Sequence, residues 1–157
     1  MSSRAGTVRI ASMSQDDAEA IAGWAYEPPY DFYDWHADAG DLEELLDPAL
    51  RGDRYFSAFD STGGLIGFYS FRPEGGVVVG LGLRPDLTGR GLGLSFLEDG
   101  LAHARERHRP AAFRLSVVGF NTRAITVYER AGFKRARSFL HATSGGTFPF
   151  VDMERRA

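Results

Sequence analysis

The stretch Leu81-Gly82-Leu83-Arg84-Pro85-Asp86-Leu87-Thr88-Gly89-Arg90-Gly91-Leu92-Gly93 restricts the possible folds more than any other part of the chain. An apolar run from Val77 to Arg84 has the length of a buried strand and stops at Pro85, which cannot donate to a ladder. Leu94, Leu97, Leu101 and Ala104 then recur at helical spacing, predicting a helix from Gly91 to about Glu106 that buries one face on the sheet. Between the two, Gly89, Gly91 and Gly93 strip side chains from the turn. Backbone N–H groups at the start of the helix are thereby free to meet an anion at the positive end of the helix dipole. The turn reads as a cradle for a pyrophosphate. The two best-known phosphate motifs do not account for it. No Gly-Lys pair exists for a Walker loop, and Gly89-Arg90-Gly91-Leu92-Gly93 lacks the spacing of a dinucleotide turn.

The remaining elements arrange themselves around this unit. Thr7–Ser12 predicts a first strand, and Ser14 caps a helix from about Gln15 to Trp24 that Pro28 and Pro29 close off. Tyr26 to Gly40 is rich in aromatic residues, Asp and Pro without a period, so a structured loop is expected, followed by a helix over about Leu42 to Leu50. Tyr55–Asp60, Leu65–Arg72 and Val77–Arg84 read as strands joined by the turns Ser61-Thr62-Gly63-Gly64 and Pro73-Glu74-Gly75-Gly76. Phe113–Val118 is the next strand, and Asn121 caps a helix that ends at Ala131 before Gly132. Arg135–Ala142 and Phe148–Glu154 form a closing hairpin about Ser144-Gly145-Gly146. At 157 residues, one domain over the whole of 1–157 is expected.

Composition removes several kinds of chemistry. With no cysteine there is no disulfide, thiolate ligand or cysteine nucleophile, and His36, His103, His108 and His141 are too scattered for a zinc site, so no metal is expected. No G-x-S-x-G elbow appears either, so a covalent acyl-enzyme is not expected. The absence of a long apolar segment points to a cytoplasmic protein that does not engage a membrane, and a net charge of −3 argues against nucleic acid as a partner. The charge is unevenly spread. Ile10 to Leu50 has no Lys or Arg but eleven acids, whereas Arg84 to Arg137 has eleven basic residues against five acids. A phosphate-rich ligand suits the second region and a cationic one the first.

With Asn121, Ala124, Tyr128, Glu129, Gly132 and Phe133 following the glycine turn, the chain resembles the GNAT family of N-acetyltransferases. The resemblance implies an α/β (α+β) fold: a mixed, mostly antiparallel, seven-stranded sheet whose central parallel strands splay apart, with flanking helices. It implies acetyl-CoA as co-substrate. The backbone of Leu81 and Leu83 would meet the pantetheine amide, and Leu81, Gly82, Leu83 and Ser116 would line the acyl tunnel. Thr88, Gly89, Arg90, Gly91, Leu92, Gly93 and Leu94 would surround the pyrophosphate, with Thr88 standing where the family usually has Arg or Gln. Asn121 would contact the cofactor, and Tyr128 would protonate the departing thiolate as the catalytic acid. Ser116 occupies a position where related enzymes often carry Glu, and its hydroxyl would order a water in place of a base. Glu27, Asp31, Asp34 and His36 are further candidates for the base. Tyr30, Asp31, Asp34 and His141 are candidate contacts to an amine acceptor, by ion pairing and cation–π attraction. The implied activity is acetyl transfer by direct attack of a primary amine on the thioester, in a monomer or homodimer. The alternatives are a non-catalytic module that senses acyl-CoA and an enzyme that uses a longer acyl-CoA.

Overall fold

The computed structural model describes residues 8–143 and 145–157. Seven strands form one sheet: β1 (Arg9–Ser12), β2 (Tyr55–Phe59), β3 (Leu65–Pro73), β4 (Val77–Leu83), β5 (Ala112–Val118), β6 (Lys134–Thr143) and β7 (Gly146–Arg156). The spatial order is β1-β2-β3-β4-β5-β7-β6, and only β4 and β5 run parallel. Five helices join them: α1 (Gln15–Ala22), α2 (Ala39–Leu46), α3 (Pro48–Arg51), α4 (Gly93–His108) and α5 (Thr122–Arg130). The expected mixed, mostly antiparallel architecture is the one observed.

Strand alternation divides the side chains between two layers. On one face, Tyr69, Phe71, Val77, Val79, Phe113, Leu115, Val151 and Met153 pack with Phe96, Leu97, Leu101 and Ala104 of α4. A smaller cluster joins Ala18, Ile21 and Ala22 of α1 to Leu45 of α2 and Tyr55, with Trp35 and Phe68 against it. Leu97 and Leu101 are fully buried, and each withdraws enough apolar surface to contribute about 1.5–3 kcal/mol.

Element ends shift where local chemistry overrides periodicity. The described part of β1 begins at Arg9, and Thr7 lies outside the described residues, as does Ser144 of the last turn. α1 stops at Ala22, capped by Gly23, rather than continuing to Trp24. The expected single helix over Leu42–Leu50 is two helices. Asp38 starts α2 early by accepting from the Asp41 N–H at 3.0 Å, and Asp47 opens α3 by accepting from the Ala49 N–H at 2.9 Å, with Pro48 in the first turn. The aromatic loop contains two short 3₁₀ turns, Tyr30–Tyr33 and Trp35–Ala37.

Candidate active site

β4 and β5 pair only at Val77↔Phe113 and Val78↔Arg114. They then part, because β4 stays with β3 as far as Gly67↔Leu83 while β5 follows β7 from Ala112↔Arg156 to Val118↔Phe150. The Arg84 N–H donates to the Ile66 carbonyl at 2.8 Å, so alternation turns the polar groups of Leu83 and Leu81 away from β3 and into the gap. The gap opens into a cleft of about 1240 Å³ lined by Leu81, Gly82 and Leu83 on one side and Leu115, Ser116 and Val117 on the other. One of these backbone groups already has a partner. The Leu83 carbonyl accepts from the Tyr26 hydroxyl at 2.7 Å, a contact across 57 residues that no sequence pattern signals.

At the end of β4 a 3₁₀ turn over Pro85–Leu87 leads to the glycines. Thr88 lines the cleft but spends its hydroxyl on the turn, donating to the Pro85 carbonyl at 2.8 Å. Gly89 and Gly91 have φ of 72° and 76°, a region closed to most side chains. This is why α4 starts at Gly93 and not at Gly91. A Cβ on Gly91 would meet nothing within 4 Å, so the space above the turn is open. No side chain caps α4 at Leu92, which leaves its first-turn N–H groups available to an anion. Gly89, Gly91, Leu92 and Gly93 line the cleft; the exposed Arg90 side chain does not, and Leu94 packs on the core. Arg123, which the sequence reading passed over, stands beside this cradle. A Cβ on Gly89 would lie 3.2 Å from Arg123 Nη1, and the guanidinium carbon sits 4.2 Å from the centroid of the Tyr30 ring. Among the described residues Arg123 has no acidic partner. An open glycine turn, an uncapped helix start and a guanidinium together suit the phosphates of a CoA thioester.

α5 brings Asn121 and Tyr128 to the same cleft. Burial, with a smaller contribution from Tyr33, pushes the Tyr128 phenol above its ordinary value of 10.0, so it is a proton carrier that stays protonated at neutral pH. Its ring tilts against Phe133 at 6.2 Å. Asn121 is buried and occupied at both ends. Its Oδ1 accepts from the Ala124 N–H at 3.0 Å as the helix cap, and its Nδ2 donates to the Tyr33 hydroxyl at 2.9 Å. Glu129 points elsewhere, pairing with Arg135 at 3.5 Å.

The opposite wall is aromatic and acidic. Phe32 packs edge-on against Phe120 at 5.5 Å and Phe148 at 5.0 Å, and Trp35 lies 5.5 Å from Phe68, so much of the aromatic loop is packing. Tyr30 lines the cleft with Arg123 over its ring, and Asp34 accepts from the Tyr26 N–H at 2.8 Å, which fixes the loop. Asp31 and His141 also line the cleft, His141 edge-on to Phe150 at 5.2 Å. The same wall holds acids counted only as bulk charge in the sequence. Asp38, Asp41 and Glu44 all face the cleft, with Glu44 accepting from the Tyr55 hydroxyl and pairing with Arg72 at 3.3 Å. Partial burial, then the charges of Asp38 and Glu44, raise the Asp41 carboxyl above its ordinary range against the pull of His141 and Arg72. Ser116 projects from the face of β5 opposite α4. Its hydroxyl donates to Asp152, directly across in β7, and Asp152 also accepts from Arg137 Nε at 2.9 Å. Among the described residues no group of three His, Asp or Glu side chains is arranged to hold a metal ion, and no helix is long and apolar enough to cross a membrane.

A model of the GNAT acetyltransferase domain matches residues 7–134. The mycothiol acetyltransferase of Propionibacterium freudenreichii is 42% identical over 83 residues, covering 48% of this chain and 26% of that protein. That of Mycolicibacterium gilvum is 34% identical over 140 residues, 80% of this chain and 45% of its own length, so the chain spans less than half of these relatives. Among solved structures, a chimera of the Vibrio cholerae spermidine N-acetyltransferase SpeG with hSSAT superposes with a TM-score of 0.77 at 18% identity over 96% of both chains. A Bacillus anthracis acetyltransferase of the GNAT family gives 0.72 at 12% identity, covering 98% of this chain and 96% of that one. These structural likenesses speak for the fold, and the domain match together with the splayed strands and glycine cradle shows that the chain belongs to the GNAT family of acetyltransferases.

Proposed function

We propose that the protein transfers the acetyl group of acetyl-CoA to a primary amine on a cationic acceptor. The observation that carries this reading is the convergence on one cleft of an open glycine cradle, the edge of β4 that parts from β5 and a buried phenol. Bound acetyl-CoA supplies an activated acyl carbon. The chain's part is to seat the phosphates at Gly89–Gly93 with Arg123, to align the pantetheine along Leu81 and Leu83, and to give the Tyr128 proton to the thiolate as the amine displaces it. Phe68 and Ser70 support a short acyl group. A Cβ on Gly82 would come within 2.4 Å of Phe68, and one on Gly80 within 2.4 Å of Ser70 Oγ, so both side chains fill space directly against β4.

The acid wall of Asp34, Asp38, Asp41 and Glu44 supports a cationic acceptor, since its field concentrates positive charge at the cleft mouth. The relatives and neighbours named for mycothiol and spermidine acetylation are consistent with a small amine. The test is mass spectrometry of acceptors incubated with acetyl-CoA and the protein. Appearance of an acetylated primary amine that requires the protein is expected; acetylation of none, by a protein that binds acetyl-CoA, would leave the sensing alternative standing.

A further inference from the structure

The chain has a proton carrier for the thiolate and needs a group to receive the proton that the amine loses; of the candidate bases, Glu27 and His36 do not line the cleft, and Asp34 is bonded to the Tyr26 N–H. Ser116 and Asp152 supply a candidate. They are direct partners in the antiparallel ladder of β5 and β7, so their side chains share one face of the sheet. That face is the one away from α4, because Leu115, Val117, Val151 and Met153, their neighbours on either side, are in the core with α4. Ser116 lies two residues beyond the last β4–β5 pair, where the strands have opened, and it lines the main cleft. It also lines a second hollow of about 360 Å³, whose wall includes Asp152, Arg137 and Arg114. Ser116 is thus a window between the cleft and a solvent-facing recess.

The hydrogen-bond direction gives this placement chemical content. The Ser116 hydroxyl donates its only proton to Asp152, which leaves the oxygen with nothing but lone pairs for the cleft. Such an oxygen accepts an N–H and disfavours a lone pair. We propose that Asp152 is a positioning residue acting through Ser116: it fixes the hydroxyl so that Ser116 Oγ accepts an N–H of the neutral acceptor amine, aims the nitrogen lone pair at the thioester carbonyl, and passes the nitrogen's proton out to the recess. This rests on the acetyl-transfer reading above.

As the N–C bond forms, the nitrogen becomes acidic. It gives one proton to Ser116 Oγ while the original hydroxyl proton moves to Asp152, and Asp152 releases it to solvent. The C–S bond breaks, the thiolate takes the proton of Tyr128, and solvent restores that one. The sum is amine and thioester in, amide and thiol out. The groups facing Asp152 keep it charged before the step. Burial pulls its carboxyl upward most, but the hydrogen bonds from Ser116 and Arg137 and the charges of Arg137 and Arg114 together hold it below its ordinary 3.8. Glu154, two residues along β7, lines the same recess and opposes these cations.

A double-mutant cycle tests the dependence of one residue on the other. Thiol release from acetyl-CoA is followed with the amine of highest turnover in a panel running from spermidine to alanine amide, for wild type, Ser116→Ala, Asp152→Asn and the double variant. Both single variants are expected to lose about a hundredfold in kcat with the KM for acetyl-CoA unchanged. The double variant should be no slower than Ser116→Ala, and Asp152→Glu should recover part of the loss. Ser116→Ala keeps the Asp152–Arg137 pair and serves if Asp152→Asn fails to fold. Losses that multiply in the double variant, or single variants within twofold of wild type, overturn the role of the pair. A wild type that binds acetyl-CoA yet releases thiol to no amine overturns the transfer reading itself, and this role with it.

Discussion

Tyr128 shows how far one side chain can be followed from sequence to chemistry. Its motif, Asn121 to Phe133, is local, so the residue, its helix and its protonated state at neutral pH could be read from the chain; the further upward shift of its pKa could not, because that depends on burial by residues distant in sequence. Tyr128→Phe is expected to lower turnover by about a hundredfold or more while leaving acetyl-CoA affinity nearly unchanged, as measured by thiol release and calorimetry. A near wild-type rate would assign the thiolate proton to another donor. Asp152 lay beyond such reading for a simple reason. It stands 36 residues from Ser116, and only the register of β5 on β7 brings them together. Arg123 was hidden in the same way, since its two neighbours, Gly89 and Tyr30, come from separate parts of the chain.

At the scale of elements, the strand–glycine–helix unit was legible because each part carries its own signal: apolar run, turn glycines, helical spacing. The aromatic segment was not. Its two 3₁₀ turns have no period, and the early start of α2 depends on one carboxylate cap at Asp38. The cradle gives two linked expectations. Gly91→Val should weaken acetyl-CoA binding by filling the open space above the turn, and its melting temperature must be checked because φ is 76° there. Arg123→Gln carries no such backbone strain. Losing one charge-assisted phosphate contact should cost about 1.5–3 kcal/mol, or roughly ten- to a hundredfold in dissociation constant by calorimetry. Unchanged affinity in both folded variants would remove the phosphates from this turn. On the buried side of α4, Leu101→Ala should lower unfolding free energy by about 2–5 kcal/mol in urea titrations, with the cradle losing affinity only as the helix itself loosens.

Across the whole molecule, charge is unevenly spread along the chain and stability is bounded by buried titrating groups. His103 lies between Phe56 at 4.9 Å and Phe71 at 5.9 Å, and its Nε2 is buried without a hydrogen-bond partner among the described residues. Burial, then the nearby Arg107, depress its pKa below the ordinary 6.5. The unfolded chain therefore takes up this proton first, so stability present above about pH 6.5 is lost as pH falls. Tyr26, Tyr55 and Tyr128 work the other way. Burial raises all three above 10.0, so stability present below about pH 10 is lost as pH rises. Melting temperature against pH should show a plateau between these limits, and His103→Leu should flatten its acid shoulder. The acid half was visible in the sequence as a count, but only the fold lines Asp34, Asp38, Asp41 and Glu44 along one wall. Acetyl transfer to a cationic amine is read out by amine-dependent thiol release from acetyl-CoA at low and high salt. Release should be fastest with polycationic amines, slower with neutral ones and slowest with anionic amino acids, the differences narrowing as salt shortens the reach of the acid wall to about 8–10 Å or less. Fastest release with an anionic acceptor, or none above background with any amine while acetyl-CoA binds, would contradict it.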